Sequence, residues 1–433
     1  MMLRFKKIAG VILIGILPLI SLSLFQVTNA EPHTEVGGPI ATDTTWTLSN
    51  SPYEVVESID VWEEATLTIE PGVILKFHAG KGMRINGELI ASGSSNNPII
   101  FTSNLDDPSP GDWGDIVFSS TATKSQIDEN ENYLGGSILQ HCIVEYAGST
   151  FVFSPKSAIS AQSLYVDNCT VRNNSIRGIS NVGSSTEPSL ISNSIFQNNH
   201  PERGDGGAVY LTYGTISNSV IEDNSSNLAG GIFASNSLIT NNLIQNNSSS
   251  FGGGLNAENS EIVGNKILDN ESGSGGGIRA FNSTIKDNLI VDNSSEGSGG
   301  GILANDSVIE SNTILNNGAR NEGGGIVGGS NDILNNMIIG NTARRGAGIS
   351  GNDRIISNTI AFNRSFLLVG VEDGPGIFYE SFSGDQGEIF YNTIVDNYAS
   401  GSDDEEIVGA ITTSSFGNTP KINYNNIFNN TDY

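Results

Sequence analysis

Acidic side chains that could act on a substrate concentrate near the C-terminus, within residues 364–388 and 398–421. Asp385, Asp403 and Asp404 are the candidates for catalysis among them. Carboxylates that converge can serve as the general acid, base or nucleophile of a glycoside hydrolase, and they can also bind Ca²⁺. An acidic surface loop is the alternative interpretation of the same residues.

A polysaccharide lyase requires a basic group to abstract a proton, and Arg279 is the candidate for that role. The alternative is a solvated surface arginine. The four histidines, His33, His78, His141 and His200, lie apart in the sequence and do not show the spacing of metal ligands.

Aromatic residues together with Arg279 form the candidate binding surface. If they share one flat face, sugar rings could stack on their exposed side chains. The alternative is that insertions cover this face. The candidate binding residues are Tyr210, Phe233, Arg279, Phe281, Phe378 and Tyr379.

Four aspartates each precede a regularly spaced asparagine and form a second candidate site for a cation. They are Asp223, Asp269, Asp292 and Asp396. Carboxylate oxygens suit Ca²⁺, so calcium is the cofactor that the acidic residues suggest.

The elements that must position these residues are repeats of about 23 residues. Two asparagine columns recur at this period, which is typical of a solenoid whose units bury their apolar faces against their neighbours. We interpret both columns as structural, because stacked amides can donate and accept along the solenoid axis. The first column contains Asn242, Asn265, Asn288, Asn312, Asn336, Asn358, Asn392 and Asn425. The second contains Asn174, Asn199, Asn224, Asn247, Asn270, Asn293, Asn317, Asn341, Asn363, Asn397 and Asn430.

One large apolar residue per unit lies between the two asparagine columns. In residues 275–293, apolar and polar residues alternate in three short stretches, which is the pattern of strands. The Gly, Asn, Ser and Asp between these stretches suit tight turns. The predicted fold class is therefore all-β, a solenoid of three parallel sheets around a narrow apolar core.

The first strand of each unit is expected to present one residue outward, and together these residues form a row. The row contains Tyr210, Phe233, Asn256, Arg279, Leu303, Val327, Ser350, Phe378 and Thr412. Because it contains no acid, the row favours binding over catalysis.

Residues 1–30 have the pattern of an export signal, with a basic start, an apolar run and small residues ending at Ala30. An uncleaved membrane anchor is the alternative. We expect residues 31–135 to form opening coils that cap the solenoid and residues 136–433 to form regular coils. Removal of Arg4, Lys6 and Lys7 with the signal would change the formal net charge from −27 to −30, which disfavours nucleic acid and anionic lipid as partners. No segment after residue 30 is apolar enough to cross a membrane, so we expect no membrane insertion of the mature chain.

Cys142 and Cys169 occupy the same position in adjacent units. We favour two buried free thiols, because parallel Cβ vectors would strain a disulfide between them. A disulfide is the alternative. Residues 425–430 form a repeat core close to the end of the chain, which predicts end-to-end association through strand edges.

The repeats at 267–270 and 275–278 resemble the paired signatures of polymorphic outer-membrane proteins, and similar repeats recur over about residues 190–430. Residues 69–73 and 85–89 are similar to the opening of exported bacterial β-helix proteins. These resemblances imply a right-handed parallel β-helix and adhesion from the cell surface. Pectate lyases and polygalacturonases share that scaffold, but fold alone does not transfer their chemistry.

Two hypotheses follow. The leading one is a secreted or cell-surface β-helix that binds polysaccharide or another surface glycan, in an adhesive or structural role without catalysis. The alternative is a polysaccharide lyase or glycoside hydrolase that uses the acids of the long C-terminal coils.

Overall fold

Short strands follow one another because each stretch alternates an inward apolar residue with polar or outward neighbours. In Leu289–Val291, for example, Ile290 is buried between two partly exposed residues. The computed structural model describes residues 33–149, 157–201, 206–366, 374–380, 387–400, 410–414 and 419–432. The predicted export signal lies outside these residues. The strands stack as parallel sheets, which confirms the predicted all-β solenoid.

The first sheet receives one strand from each coil, and each strand pairs in parallel with its equivalent in the next coil. Two of its strands, Ile326–Leu334 and Ile349–Ile356, continue round a corner into the second sheet. The strands of the first sheet are Thr34–Ile40, Tyr53–Val61, Met83–Ile85, Ile116–Phe118, Ser157–Ala161, Arg177–Val182, Val209–Thr212, Ile232–Ser235, Leu255–Glu258, Ile278–Phe281, Ile302–Asn305, Ile326–Leu334, Ile349–Ile356, Ile377–Tyr379 and Ile411–Thr413.

The second and third sheets complete the three faces of each coil. The further strands of the second sheet are Thr44–Trp46, Thr66–Ile69, Glu88–Ser92, Ile138–Gln140, Tyr165–Asp167, Ser189–Ser192, Gly214–Ser217, Leu238–Thr240, Glu261–Val263, Thr284–Lys286, Val308–Glu310, Glu388–Phe390 and Lys421–Asn423. The third sheet comprises Ile74–Phe77, Ile99–Ser103, Cys142–Glu145, Thr170–Arg172, Ile195–Gln197, Val220–Glu222, Leu243–Gln245, Lys266–Leu268, Leu289–Val291, Thr313–Leu315, Met337–Ile339, Thr359–Ala361, Thr393–Val395 and Asn426–Phe428.

Smaller elements fill the corners. A ladder of very short parallel strands contains Ser225–Ser226, Ser248–Ser249, Glu271–Ser272, Ser294–Ser295, Gly318–Ala319, Thr342–Ala343, Arg364–Phe366, Tyr398–Ser400 and Thr431–Asp432. Gln126–Ile127 and Tyr133–Gly135 pair antiparallel, and Leu48–Asn50 is a short 3-10 helix. Within the described ranges, helical structure never reaches the length and apolarity that crossing a membrane requires.

The register of the sheets places each inward residue directly on its equivalent in the next coil. Ile267, Ile290 and Ile314 are stacked in this way, and all three have no exposed surface. Each coil therefore buries its apolar face against its two neighbours, and the core is a continuous column rather than a central cluster.

The asparagine columns are hydrogen-bonded ladders, as predicted. The backbone N–H and Nδ2 of Asn242 both donate to Oδ1 of Asn265, at 2.9 and 3.0 Å. Asn242 Nδ2 also donates to the carbonyl oxygen of Ile216 at 3.0 Å. Each amide thus pairs polar groups of three coils in the buried interior, where unpaired groups would be costly.

The left-handed backbone of the turns belongs to the residue before each ladder asparagine. Asn246 and Asp269, for example, have φ values of 54° and 52°. The ladder positions require asparagine for its amide hydrogen bonds and not for turn geometry. The residues before them are Asn, Asp or Gly in most coils because these types tolerate that conformation best.

Cys142 and Cys169 are buried and free, which confirms the favoured interpretation. Their sulfurs donate to the carbonyl oxygens of Ala91 and Leu139, at 3.4 and 3.3 Å. Burial and the neighbouring Cys169 thiol raise the pKa of the Cys142 thiol. Both residues therefore act as small apolar side chains in the core.

Candidate functional site

The predicted row on the first sheet is continuous and in register. Tyr210 pairs with Phe233, Phe233 with Asn256 and Asn256 with Arg279, and the row continues to Thr412. Parallel pairing without slips places these side chains one strand spacing apart, about 4.8 Å. The row is therefore an extended feature along the solenoid axis.

Aromatic rings and guanidinium groups contact one another in and beside the first part of this row. The rings of Tyr210 and Phe233 stack with centroids 4.9 Å apart and planes inclined by 6°. The Arg177 guanidinium carbon lies 4.8 Å from the Tyr210 ring centroid. Contacts of this kind between cations and aromatic faces hold both partners in place.

Arg279 continues the pattern two coils further on. Its guanidinium carbon lies 4.5 Å from the Phe281 ring centroid and 5.5 Å from that of Phe251. We call Arg177, Tyr210, Phe233, Phe251, Arg279 and Phe281 the aromatic–arginine face. Its four rings are at least partly exposed, and Phe251 is 43% exposed.

The electrostatics of the face centre on Arg279. Burial lowers the pKa of its guanidinium group, and the Glu258 carboxylate of the adjacent coil raises it in part. Asn256 lies between Phe233 and Arg279, and its buried Oδ1 accepts no hydrogen bond within the described structure. Arg279 is thus oriented by rings and remains charged at neutral pH.

Two members of this face, Arg177 and Phe251, were not predicted. Arg177 precedes the outward row position Ser180 by three residues, so the row alone does not reveal it. Phe251 lies just before Gly252, in the turn that leads into the first sheet, and its ring reaches Arg279 from there. The aromatic residue directly before a glycine run was the available signal for Phe251.

The expected exposure of Phe378 and Tyr379 is wrong, because they are only 2% and 1% exposed. Arg345 lies over the Phe378 ring at 4.9 Å, and Tyr379 Oη accepts a hydrogen bond from the Gly387 N–H at 2.8 Å. Both rings are therefore buried among described residues and do not form part of an exposed surface.

The catalytic candidates Asp385, Asp403 and Asp404 lie outside the described residues. Nearby, Glu388 is described and lies 3.7 Å from Lys421 in an ion pair between adjacent strands. An ion pair of this kind at a partly exposed site contributes little and does not indicate catalysis.

The four aspartates proposed for a cation occupy the left-handed turn position. Asp223, Asp269, Asp292 and Asp396 have φ values of 55°, 52°, 55° and 50°. Their place before each ladder asparagine therefore has a backbone explanation. Among the described residues, no group of three or more His, Cys, Asp or Glu side chains could hold a metal ion.

Two histidines are brought together despite their separation in the sequence. His33 Nδ1 and His78 Nε2 lie 3.8 and 3.3 Å from the two carboxylate oxygens of Glu54. The strands Thr34–Ile40 and Ile74–Phe77 flank the Glu54 strand, which explains this meeting.

Two buried carboxyl groups were also not predicted. Asp115 is 1% exposed at a position where the adjacent coils carry Gly82 and Ala158. Burial raises its pKa to about 7, and the Arg84 charge opposes that shift. Asp353 is fully buried and burial likewise raises its pKa to about 7, against hydrogen bonds from Asn331.

Two family models match the chain. Residues 38–171 match the pectate-lyase-like β-helix domain, and residues 189–343 match the right-handed β-helix region. The Drosophila melanogaster protein bark beetle is 41% identical to this chain over 79 residues. That segment is 18% of this chain, and this chain spans only 2% of that protein.

Solved structures with a similar course of the chain include three carbohydrate-active proteins. A periplasmic alginate epimerase mutant is 11% identical, with 90% of this chain and 85% of that chain covered and a TM-score of 0.37. The mannuronan C-5 epimerase A-module of Azotobacter vinelandii is 13% identical, with 93% and 89% covered and a TM-score of 0.29. A pectate lyase is 14% identical, with 82% and 70% covered and a TM-score of 0.27.

Identities and TM-scores this low carry no information on activity. The two matched regions, the parallel register of the strands and the hydrogen-bonded asparagine ladders all indicate a β-helix. This chain is a right-handed parallel β-helix repeat protein.

Proposed function

We propose that this protein binds a polysaccharide along the aromatic–arginine face and does not cleave it. The observation that carries the proposal is the group of partly exposed rings on one sheet, with Tyr210 and Phe233 stacked on adjacent strands and Arg279 over the Phe281 ring further along the row. An extended ligand such as a glycan chain fits an extended row better than a small molecule does. Aromatic faces stack on sugar rings, and guanidinium groups donate to sugar oxygens.

The charge of the chain makes this face distinctive. In a molecule with a formal net charge of −27, the partly exposed Arg279 presents donors where most of the surface presents acceptors. Arg279 is held by the rings of Phe251 and Phe281, so little conformational freedom is lost when a ligand binds. Arg177 is only 7% exposed and donates to the Gly206 carbonyl oxygen, so it supports the Tyr210 ring and does not face the ligand.

A binding role without catalysis is supported by the composition of the row. From Tyr210 to Thr412 the row carries no carboxylate. Beside the row, the Glu258 carboxylate raises the pKa of Arg279. Cleavage of a glycosidic bond by the usual route requires two carboxyl groups. The match to a pectate-lyase-like β-helix domain supports carbohydrate as the ligand class, but not a shared reaction.

The setting that we propose is outside the cell, in an adhesive or structural role. The pattern of an export signal in residues 1–30 and the acidic balance of the chain support this setting. End-to-end association of copies remains a prediction.

The test is equilibrium binding of the purified full chain to a panel of neutral, anionic and amino-sugar polysaccharides, with and without Ca²⁺. We expect at least one polysaccharide to bind, with no release of reducing ends or unsaturated products over a prolonged incubation. Failure to bind any member of the panel would overturn the proposal. Product formation would overturn the non-catalytic part and favour a lyase or hydrolase that uses Asp385, Asp403 and Asp404.

A further inference from the structure

A groove of about 520 Å³ opens at the corner between the first and second sheets. We call it the Tyr213 groove. The lining residues that could contact a ligand include Ser184, Ser185, Tyr213, Asn236, Asn259 and Glu261. It lies at the end of the Val209–Thr212 strand, round the corner from the aromatic–arginine face.

One wall of the groove is a loop that the neighbouring coils lack, formed by residues 183–188. The loop closes on itself through a hydrogen bond from the Ser184 N–H to the Glu187 carbonyl oxygen at 2.9 Å. Ser163 Oγ donates to the same carbonyl at 2.6 Å, and the Glu187 carboxylate pairs with Lys124. The wall is thus held in place before any ligand arrives, which lowers the entropic cost of binding.

Tyr213 is the aromatic residue of the groove lining. It has a φ of 48° at a corner where the next coils carry Asn236, Asn259 and Asn282, with φ values of 51°, 49° and 47°. Asparagine tolerates this backbone conformation, whereas a bulky side chain adopts it at a cost. The Tyr213 side chain is 41% exposed, so burial of the ring does not offset that cost. Because Phe362, Tyr391 and Tyr424 have similar φ values, the concave setting of Tyr213, and not its backbone, distinguishes this residue.

The remaining lining combines apolar residues, such as Pro188 and Leu238, with several polar ones. Asn236 and Asn259 present amides, Ser184 and Ser185 present hydroxyls, and Glu261 presents an exposed carboxylate. The lining residues include no Lys, Arg or His. A concave site with one aromatic side chain and several convergent polar groups is typical of a small-ligand site.

We infer that the Tyr213 groove binds one neutral sugar unit. Its ring would lie against Tyr213, and its hydroxyls would donate to Glu261 and exchange hydrogen bonds with the amides of Asn236 and Asn259. The Glu261 carboxylate would repel an anionic sugar. This inference goes beyond the proposed function, because it assigns a second site with a different charge preference from the aromatic–arginine face.

The test uses saturation-transfer NMR and titration calorimetry on the full chain, with glucose, galactose, mannose and their disaccharides as neutral probes. Glucuronate serves as the anionic probe. We expect at least one neutral probe to bind and glucuronate to bind more weakly. Absence of binding by every neutral probe, or preference for glucuronate, would overturn the inference.

Matched variants locate the site. Tyr213→Asn restores the residue of the next coil, so the backbone and the fold are kept, and it should weaken neutral-sugar binding roughly tenfold or more. Glu261→Gln should weaken it while reducing discrimination against glucuronate. Asn282→Asp changes the same corner outside the groove, so it should leave neutral-sugar affinity unchanged. Equal affinity of Tyr213→Asn and the unaltered chain would refute the assignment.

Discussion

At the scale of single residues, Asp353 stands where a neutral side chain would complete a ladder. Asn331 donates its N–H and Nδ2 to Asp353 Oδ1, at 3.0 and 2.9 Å. In the other ladders an asparagine occupies this position, and its Nδ2 donates to a carbonyl group of a neighbouring coil. Asp353 Oδ2 is buried and has no hydrogen-bond partner within the described structure. A protonated carboxyl could donate from this oxygen, whereas an ionised one could not.

This arrangement predicts that Asp353 destabilises the fold as pH rises. Its folded pKa of about 7 lies above the ordinary value of 3.8, so only the folded state keeps the proton between these two values. Stability should therefore fall from about pH 4 to pH 7, by up to about 4 kcal/mol from this group. Asp353→Asn should remove that fall and raise the free energy of unfolding at pH 8, as measured by denaturant titration at pH 5 and pH 8.

Asp332→Asn is the matched control for this experiment. The hydrogen bond from Arg354 lowers the pKa of Asp332, so its ionised form stabilises the fold at neutral pH. Its replacement should therefore cost stability at pH 8 rather than add it, with a small effect because the pair is partly exposed. The interpretation of Asp353 would be wrong if Asp353→Asn left the difference in stability between pH 5 and pH 8 unchanged.

The sequence predicts the role of a residue that recurs in every coil, but not the role of a residue that occurs in one coil only. The ladder role of Asn265 was predictable because an amide that recurs in every coil has a structural explanation. Arg177 and Asp115 were not predictable, because neither recurs and their neighbours come from other coils. Phe378 was predicted to be exposed because its row position is outward, but it is buried and Arg345 lies over its ring.

At the scale of the strand and turn, the glycine runs allow adjacent coils to approach closely. The sequence indicated a sharp turn before the first sheet, and Gly275 with a φ of 72° confirms it. The structure adds a second requirement for Gly276. A Cβ atom there would lie 2.4 Å from the carbonyl oxygens of Gly300 and Ser294, and these are backbone atoms that cannot move independently.

Gly276→Ala should therefore destabilise the solenoid by roughly 1–3 kcal/mol or more, as an overpacked interior does. Gly318→Ala is the matched control, because the atom nearest to its added Cβ would be Thr342 Oγ1 at 3.3 Å and its φ is not left-handed. That control should be neutral or slightly stabilising, since alanine restricts the unfolded chain. Denaturant midpoints of the two variants compare the costs directly, and equal midpoints would contradict the close-approach account.

At the scale of the whole molecule, the fold was predictable because every coil contacts only its neighbours. A period of about 23 residues fixes the stacking, and the stacking fixes the three sheets. The candidate sites were less predictable than the fold. The period placed Tyr210, Phe233 and Arg279 in one row, but it gives no information about Phe251 or the Tyr213 groove, which arise where single coils depart from the repeat.

The measurement that tests the central claim most directly is the affinity of a double variant for a polysaccharide that the unaltered chain binds. Phe233→Asn and Arg279→Leu each introduce the residue that the next coil carries at the same row position, so the register is preserved. We predict that together they weaken binding at least roughly tenfold, while Val327→Ser, further along the row, leaves it unchanged. Unchanged affinity of the correctly folded double variant would show that the glycan binds elsewhere on the molecule.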